Sequence, residues 1–158
     1  MLDKHRASVT IGLWLLFAIN LIFLAMQLIP VERSNPPIVR EPKWDSAQTR
    51  VYAKQACFDC HSNETQWPWY AYLAPLSWRV ADHVQNGRAK FNMSDWFPND
   101  GDEAARLVAS GKMPLWDYQL LHPAARLSAT DKAAFIRGLK ATFGSGGASI
   151  PENAISER

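Results

Sequence analysis

The longest apolar stretch of the chain runs from residue 9 to residue 29, and its 21 residues carry no charge. At about 1.5 Å of rise per residue, a helix of this length crosses the roughly 30 Å hydrocarbon core of a bilayer. No Ala-x-Ala-like cleavage site stands before Pro30, which argues against a signal peptide that is removed. The pattern therefore predicts a transmembrane anchor over 9–29, with residues 1–8 on the cytoplasmic side.

Beyond the anchor, a region with helical periodicity lies between two segments that lack it. Residues 30–43 include four prolines among polar side chains, which predicts an extended tether. Residues 145–158 begin with a run rich in Gly and Ser and are predicted to form a flexible tail. Residues 44–144 are of a size typical of one small domain, and we predict that they fold as one.

Two helices are predicted in the first half of this domain. Asp45 or Ser46 is expected to cap the first helix, which leads directly into Cys57. Ser77 is expected to cap the second helix, and Gly87 at its C′ position is expected to end it.

Two more helices are predicted in the second half. Asp100 with Glu103 resembles a capping box for a short helix that ends at Gly111. Ser128 is expected to begin the last helix, over 129–143, before Gly144. The apolar positions of this helix that recur at helical spacing and are expected to face a core are Phe135, Ile136, Leu139 and Phe143. We find no strand pattern, so the predicted fold class is all-α.

Charge and composition narrow the range of partners. The net charge is +2, and from residue 31 onward 15 Lys and Arg stand against 14 Asp and Glu. Without a basic stripe or a nucleic-acid motif, we predict no nucleic-acid partner. Aromatic residues make up 11% of the chain and include seven Trp, which suits the burial of a large flat apolar group. Any single Trp is equally compatible with an ordinary core.

Both cysteines of the chain stand in the run Cys57-Phe-Asp-Cys-His61, which has the C-x-x-C-H spacing of covalent c-type haem attachment. Two thiols within one helical turn can each form a thioether with one vinyl group of a porphyrin, and the following imidazole then faces the iron. In this chemistry Phe58 and Asp59 are free choices. We therefore predict one covalently attached haem c, with Cys57 and Cys60 as attachment residues and His61 as an iron ligand.

Other uses of the cysteine pair are less well supported. A redox C-x-x-C motif usually follows a strand, and no strand pattern precedes this one. A structural zinc site needs four ligands, and only His83 and His122 could complete it. A disulfide between the two cysteines would close a tight loop and leave His61 without a role.

The motif and the anchor agree about the compartment. Bacterial c-type haem is attached on the periplasmic side, and Lys4 and Arg6 before the anchor favour a cytoplasmic N-terminus. Arg33 beyond the anchor makes this charge bias modest. We predict a single-pass protein of the bacterial inner membrane, with the haem domain facing the periplasm.

Met113 is the best candidate for the second axial position of the iron. A second protein ligand closes the iron to small molecules, whereas an open position admits oxygen or peroxide. Met113 stands in Gly111-Lys-Met-Pro114, where a turn glycine and a proline stiffen the backbone around the thioether. The other use of a lone methionine is core filling. The remaining candidates are His122 as runner-up, His83 as an exposed helix residue and Met93 as a packing residue.

Several further runs accompany the C-x-x-C-H motif. They are Trp67-Pro-Trp-Tyr70, Ala74-Pro-Leu-Ser-Trp78, Gly87-Arg88, Phe91-Asn92, Met113-Pro114, Tyr118, Leu121-His-Pro123 and Arg126-Leu-Ser128. Together they resemble the bacterial haem-binding domain family over about residues 35–143. The order of motifs is also similar to that of class I cytochromes c. The resemblance implies a small helical monohaem cytochrome, with Cys57 and Cys60 as thioether residues, His61 proximal and Met113 distal. Leu115 departs from the pattern, because a second proline is expected there.

The surroundings of the haem are predicted more loosely. The Trp- and Pro-rich segment 61–75 is expected to wrap the haem, with Trp67, Trp69 and Arg88 as contacts. The second ring nitrogen of His61 needs an acceptor, and a backbone carbonyl near Pro68 or Pro75 is the expected one.

The preferred function is that of a membrane-tethered carrier of single electrons between redox partners, either free or as a subunit of a respiratory or photosynthetic complex. No catalytic constellation is found, so we predict that the protein is not an enzyme. The alternative is a haem sensor or a peroxidase-like protein with a labile sixth ligand. In a third interpretation the haem is mainly structural, and the anchor and the Trp-rich segment dock into a larger complex.

Overall fold

The computed structural model describes residues 2–98 and 101–144, and the regular elements within these ranges are all helical, as predicted. The α-helices are α1 (Leu2–Met26), α2 (Ala47–Ala56), α3 (Phe58–His61), α4 (Leu76–Lys90), α5 (Ala104–Ala109), α6 (Trp116–Leu121) and α7 (Ala129–Phe143). Two short 3₁₀ turns span Trp69–Tyr72 and Pro123–Ala125. The chain divides into a first unit, residues 1–33 and 67–82, and a second unit, residues 34–66 and 83–158.

The first unit contains the long apolar helix. Within α1, the 19 residues Ser8–Met26 are long and apolar enough to cross a membrane. The predicted span reaches residue 29, but the helix ends at Met26 and a turn follows. Gln27 occupies that turn, and its side-chain Oε1 accepts a hydrogen bond from the Ala74 backbone N–H at 2.9 Å. The first residue after the helix, Gln27, is therefore the one whose polar side chain binds the segment 67–82.

A buried apolar cluster holds the second unit together. Its members are Ala53, Phe58, Met93, Ala105, Val108, Phe135 and Leu139, contributed mainly by α2, α3, α5 and α7. Phe135 and Leu139 are buried, and Ile136 and Phe143 pack against the cluster from partly buried positions. The predicted core face of the last helix is thus confirmed.

Serine caps begin two of the predicted helices. The Ser46 hydroxyl accepts a hydrogen bond from the Thr49 backbone N–H at the start of α2. The Ser128 hydroxyl accepts one from the Asp131 backbone N–H at the start of α7. Each bond satisfies one of the donors that a helix N-terminus leaves without a partner, which is why these boundaries could be predicted.

The predicted bounds of α4 are wrong at both ends. The helix begins at Leu76, before Ser77, and it continues through Gly87 to Lys90. Gly87 does not end the helix. It is a point of close approach, because a Cβ atom there would meet the carbonyl oxygen of Cys60 and lie 2.9 Å from its carbonyl carbon. The absence of a side chain lets α4 pack directly on the C-x-x-C-H turn.

The short helices differ in part from the prediction. Glu103 is the N-cap of α5 without a side-chain capping bond, and Asp100 lies outside the described residues. Helix α5 ends at Ala109, two residues before the predicted end at Gly111, and Gly111 has φ +72°, which suits the predicted turn there. The sequence pattern did not predict α6.

Residues 34–43 contain no helix, but they are not a free tether. The Val39 and Arg40 backbone N–H groups donate to the Ser94 carbonyl at 2.8 and 3.1 Å, and the Trp96 N–H donates to the Arg40 carbonyl at 3.0 Å. The Asn63 side chain binds the Pro37 carbonyl at 2.9 Å. This segment is therefore part of the second unit. The predicted tail over 145–158 lies outside the described residues.

Candidate haem site

The C-x-x-C-H run folds as a single helical turn. Helix α2 ends at Ala56, and the Cys57 carbonyl accepts hydrogen bonds from the backbone N–H groups of Cys60, at 3.1 Å, and His61, at 2.9 Å. Both cysteines are free thiols. One turn therefore carries two thiols and an imidazole, which is the local arrangement that the spacing predicts.

The two residues between the cysteines are not free choices in this fold. Phe58 is 2% exposed and belongs to the core cluster. Asp59 uses both carboxylate oxygens: one accepts the Gln66 backbone N–H at 2.9 Å and the other accepts the Tyr118 hydroxyl at 2.7 Å. Burial, reinforced by the Asp59 carboxylate, raises the pKa of Tyr118 well above its usual value, so the phenol remains a donor to Asp59.

The His61 ring is fixed through its Nδ1 atom, which lies 3.0 Å from the Phe91 carbonyl oxygen. A carbonyl only accepts, so Nδ1 carries the hydrogen and the lone pair of Nε2 is left for a metal. Burial also lowers the pKa of His61, which favours the neutral imidazole. The prediction of an acceptor near Pro68 or Pro75 is wrong, since Phe91 supplies it.

The segment after α4 holds this histidine at two points. Besides the Phe91 carbonyl, the Met93 backbone N–H donates to the His61 carbonyl at 2.7 Å. Met93 itself is 1% exposed and packs in the core cluster, as predicted for it. The orientation of the imidazole thus depends on a segment 30 residues further along the chain.

A cavity of about 510 Å³ opens beside the turn, within the roughly 300–1,000 Å³ range of cofactor pockets. Its wall brings together Cys57, Cys60, His61 and Met113. The residues that complete the wall are Ala56, Asp59, His83, Asn86, Gly87, Lys90, Phe91, Met93, Gly101, Asp102, Glu103, Ala104, Leu107, Val108, Pro114, Leu115, Tyr118 and Leu139. The cavity lies entirely within the second unit.

Burial within this wall keeps the two sulfurs protonated. It raises the pKa of Cys57 to about 12 and that of Cys60 to about 11. Neutral thiols and a neutral imidazole suit a largely apolar pocket, because none of them carries a charge that would need solvation. In the described part of the chain no group of three His, Cys, Asp or Glu could hold a bare metal ion, so the zinc alternative finds no support there.

Of the other candidate ligands for the iron, His83 lines the cavity and His122 does not. His83, which the sequence suggests is simply exposed, is half-buried and lines the cavity. His122, the runner-up, is not part of the wall. Its ring stacks on Tyr118, with ring centroids 3.9 Å apart, and its Nδ1 lies 2.9 Å from the Tyr118 carbonyl.

Trp67, Trp69 and Arg88 are not part of the cavity wall. Trp69 is 76% exposed, whereas the indole N–H of Trp67 is buried and has no acceptor among the described residues. The predicted haem contacts of these three residues stay predictions. Of the predicted wrapping segment, residues up to Gln66 belong to the second unit and those from Trp67 onward to the first.

Arg88 has a structural role beside the motif. Its guanidinium donates to the Ser62 and Ser34 carbonyls at 2.8 and 2.9 Å. It also donates to the Asn35 side-chain oxygen at 3.0 Å and to the Thr65 hydroxyl at 2.9 Å. Four oxygens from two segments are thereby tied to α4, which fixes the loop that follows His61.

Sequence reasoning missed the contribution of α4 to the cavity. His83, Asn86, Gly87 and Lys90 recur at i, i+3, i+4 and i+7, which is one face of a helix. The sequence contains this spacing. Because the helix was expected to end at Gly87, however, the four residues were not assigned to one helix face. The Phe91 carbonyl could not be predicted as the acceptor for His61, because every residue has a backbone carbonyl and no side chain marks this one.

The fold and the cavity define the class of protein: a helical domain with nitrogen and sulfur donors around a pocket of cofactor size. The chain belongs to the haem-binding domain family, which it matches over residues 21–141, more than half of its length. Comparisons with curated proteins and with solved structures give no match. The family supports haem as the cofactor, and the donor set on the cavity wall fits it.

The close approach at Gly87 leads to a first testable expectation. In Gly87→Ala the new methyl group would meet the Cys60 backbone, which cannot rotate away as a side chain could. We expect the free energy of unfolding to fall by about 1–3 kcal/mol, as for other overpacked sites. Without this clash, replacing glycine by alanine inside a helix would stabilise the helix by about 1 kcal/mol, so a loss of stability would report the clash. Urea unfolding and haem content per chain measure the effect.

Gln85→Ala is the control for this experiment, because it changes an exposed residue of the same helix. If Gly87→Ala matched this control in stability and in haem content, α4 would not pack on the Cys60 backbone as described.

Proposed function

We propose that this protein is a membrane-tethered monohaem c-type cytochrome that passes single electrons between periplasmic or membrane-bound redox partners. The observation that carries the proposal is that two thiols, an imidazole and a thioether line one cavity. The thiols come from the α2–α3 junction and the thioether from the loop after α5, so different elements converge on one pocket.

The two thiols are suited to covalent attachment. Haem would offer two vinyl groups, and the thiols of Cys57 and Cys60 would hold it by adding across these double bonds, with each thiol hydrogen going to the neighbouring vinyl carbon and no oxidant consumed. Cys57 and Cys60 lie in one turn, so both bonds can be made to a single ring. Attachment of this kind explains why the only two cysteines of the chain stand three residues apart.

His61 and Met113 are the residues that would hold the haem iron. The bond from Nδ1 of His61 to the Phe91 carbonyl holds the ring with Nε2 available, and it increases the basicity of that atom. The Met113 thioether is uncharged, and its backbone N–H donates to the Leu107 carbonyl at 3.2 Å, which fixes the loop to α5. When bound, haem supplies an iron that cycles between two oxidation states one electron apart.

Apolar side chains form much of the rest of the pocket wall. Leu107, Val108 and Leu139 line the wall, and Val108 and Leu139 are buried in the core cluster. An iron held by two neutral protein ligands would need little rearrangement around it when one electron arrives or leaves. We therefore propose electron transfer rather than catalysis.

The proposed location follows from the anchor and the motif together. Helix α1 is apolar enough to span a bilayer, and Lys4 and Arg6 favour a cytoplasmic N-terminus. The cavity would then be on the periplasmic side of the bacterial inner membrane. Redox partners of this domain would be periplasmic proteins or subunits of a larger membrane complex.

Carbon monoxide binding to the reduced full-length protein tests the electron-transfer proposal. A carrier with both axial positions filled should bind carbon monoxide slowly or not at all, and it should titrate reversibly as a one-electron couple. The Met113→Ala variant should bind carbon monoxide rapidly, which shows that the assay detects an open site. Rapid binding by the unmodified protein, with a high-spin ferrous spectrum, would instead support the sensor or peroxidase-like alternative.

A further inference from the structure

Six large apolar side chains of the first unit are exposed where α1 ends. They lie on two segments, one directly after α1 and one within residues 69–76, and we call them the interfacial surface. Its residues and their exposed fractions are Leu28 84%, Ile29 53%, Trp69 76%, Tyr72 60%, Leu73 38% and Leu76 46%. Single exposed apolar residues are normal, but a group of this size marks an interaction site.

Hydrogen bonds join the two segments of this surface. The Gln27 side chain accepts from the Ala74 N–H at 2.9 Å and donates to the Ala74 carbonyl at 3.4 Å. Gln27 directly precedes Leu28, and Ala74 directly follows Leu73. Arg33 adds a second connection, because its guanidinium donates to the Ala71 carbonyl at 3.2 Å.

The position of the interfacial surface at the end of the predicted membrane-spanning helix indicates what the surface contacts. Gln27 comes one residue after the membrane-length helix Ser8–Met26. If that helix spans a bilayer, Gln27 and the segment it binds lie at the boundary between hydrocarbon and headgroups. Trp and Tyr are enriched at this boundary, because their rings are apolar and their N–H or O–H groups can reach water.

The charge beside the surface fits the same boundary. The Arg33 guanidinium lies 4.6 Å from the centroid of the Tyr72 ring. A cation held over an aromatic ring at the membrane surface can contact lipid phosphates while its stem lies against apolar groups.

We propose that the interfacial surface inserts into the headgroup region of the bilayer that α1 crosses, so that residues 69–76 form a second membrane contact. The occupant is lipid, and the continuity with the end of α1 argues for it. This inference rests on the proposed membrane anchor. It adds that the anchor is not the only part of the chain in contact with lipid.

Fluorine NMR of the full chain in lipid bicelles tests this inference. The protein is labelled with fluorotryptophan, reduced, and placed in phosphatidylcholine with added phosphatidylglycerol. Single Trp→Phe variants assign the resonances of Trp14, Trp69 and Trp116. Line broadening is then compared for a water-soluble paramagnetic chelate, a lipid nitroxide near the headgroup and a lipid nitroxide near the bilayer centre.

Trp116 is the matched control, since at 74% it is as exposed as Trp69 but belongs to the second unit. We expect the headgroup nitroxide to broaden Trp69, and the chelate to broaden Trp69 several-fold less than Trp116. If Trp14 is broadened by the deep nitroxide but Trp69 responds to the chelate as Trp116 does, the anchor stands and the interfacial surface is wrong. If Trp14 itself responds to the chelate, the anchor fails and the inference with it.

A variant pair tests whether Gln27 positions the surface. Gln27→Leu removes both bonds to Ala74, so we expect the chelate to broaden Trp69 more strongly than in the unmodified chain. Asn20→Leu is the control, because the Asn20 side chain binds only the Leu16 carbonyl of its own helix among the hydrogen bonds described. Equal broadening of Trp69 in the two variants would exclude a positioning role for Gln27.

Discussion

We expect haem to stay attached to the wild-type chain after denaturation. We expect it to be lost on denaturation from a variant in which Cys57 and Cys60 are both replaced by alanine. The two residues are the only cysteines of the chain, so no other thiol can substitute. Each single variant would keep one thiol for attachment and should retain a reduced amount of covalent haem. Haem staining after denaturing electrophoresis and the mass of the intact chain measure the loss.

The double variant still has His61 and the cavity wall, so it can bind haem without a covalent bond. Acidified acetone should therefore remove all haem from the double variant and none from the wild type. Gln55→Ala is the control, because it changes an exposed residue of the last turn of α2, next to the motif. Complete extraction from the wild type would show that the haem is not covalently held.

Met113→Ala should have the second large effect. In the proposed site, loss of the Met113 thioether would leave one side of the iron without a protein ligand. We therefore expect the far-red methionine-to-iron band of the ferric protein to disappear. The reduction potential should fall by a fraction of the roughly 0.8 V range that axial ligands control. Ferric absorption spectra and redox titration of the full-length protein measure both changes.

Met93→Leu is the matched control for Met113→Ala. Met93 also lines the cavity, but it is 1% exposed and packs in the core, so a volume-conserving change there should leave the band and the potential unchanged. If Met113→Ala leaves the spectrum unchanged, Met113 is not the ligand. His83 would then be the next residue to replace, because it too lines the cavity.

The parts of the fold that the sequence predicted are those with local signals. Ser46 and Ser128 are caps whose hydroxyl groups bind backbone N–H groups three residues on, so the information lies within one turn. The repeat of apolar residues in α7 likewise reports one helix face. The C-x-x-C-H turn is local in the same sense, since its five residues carry the whole pattern.

The features that escaped prediction depend on residues far apart in sequence. The local sequence predicts that Gly87 ends a helix. Its actual role is to allow close packing on the Cys60 backbone, 27 residues earlier. Phe91 serves His61 through a carbonyl group, which any residue possesses. The Pro-rich segment before residue 43 has the composition of a free tether, yet its backbone is hydrogen-bonded to that of Ser94 and Trp96. In each case the deciding contact involves backbone atoms, which leave no trace in side-chain chemistry.

The hydrogen bond between Asp59 and Tyr118 limits how easily the C-x-x-C-H turn can be moved to another protein. A designer who copies only the two cysteines and the histidine into another helical scaffold transfers the thiols and the imidazole without the carboxylate that joins the turn to α6 and to Gln66. Phe58 would likewise need a core to enter. A graft that keeps the two contacts of Asp59 therefore needs the pentapeptide together with Tyr118 and the Gln66 backbone, which come from three separate parts of the chain.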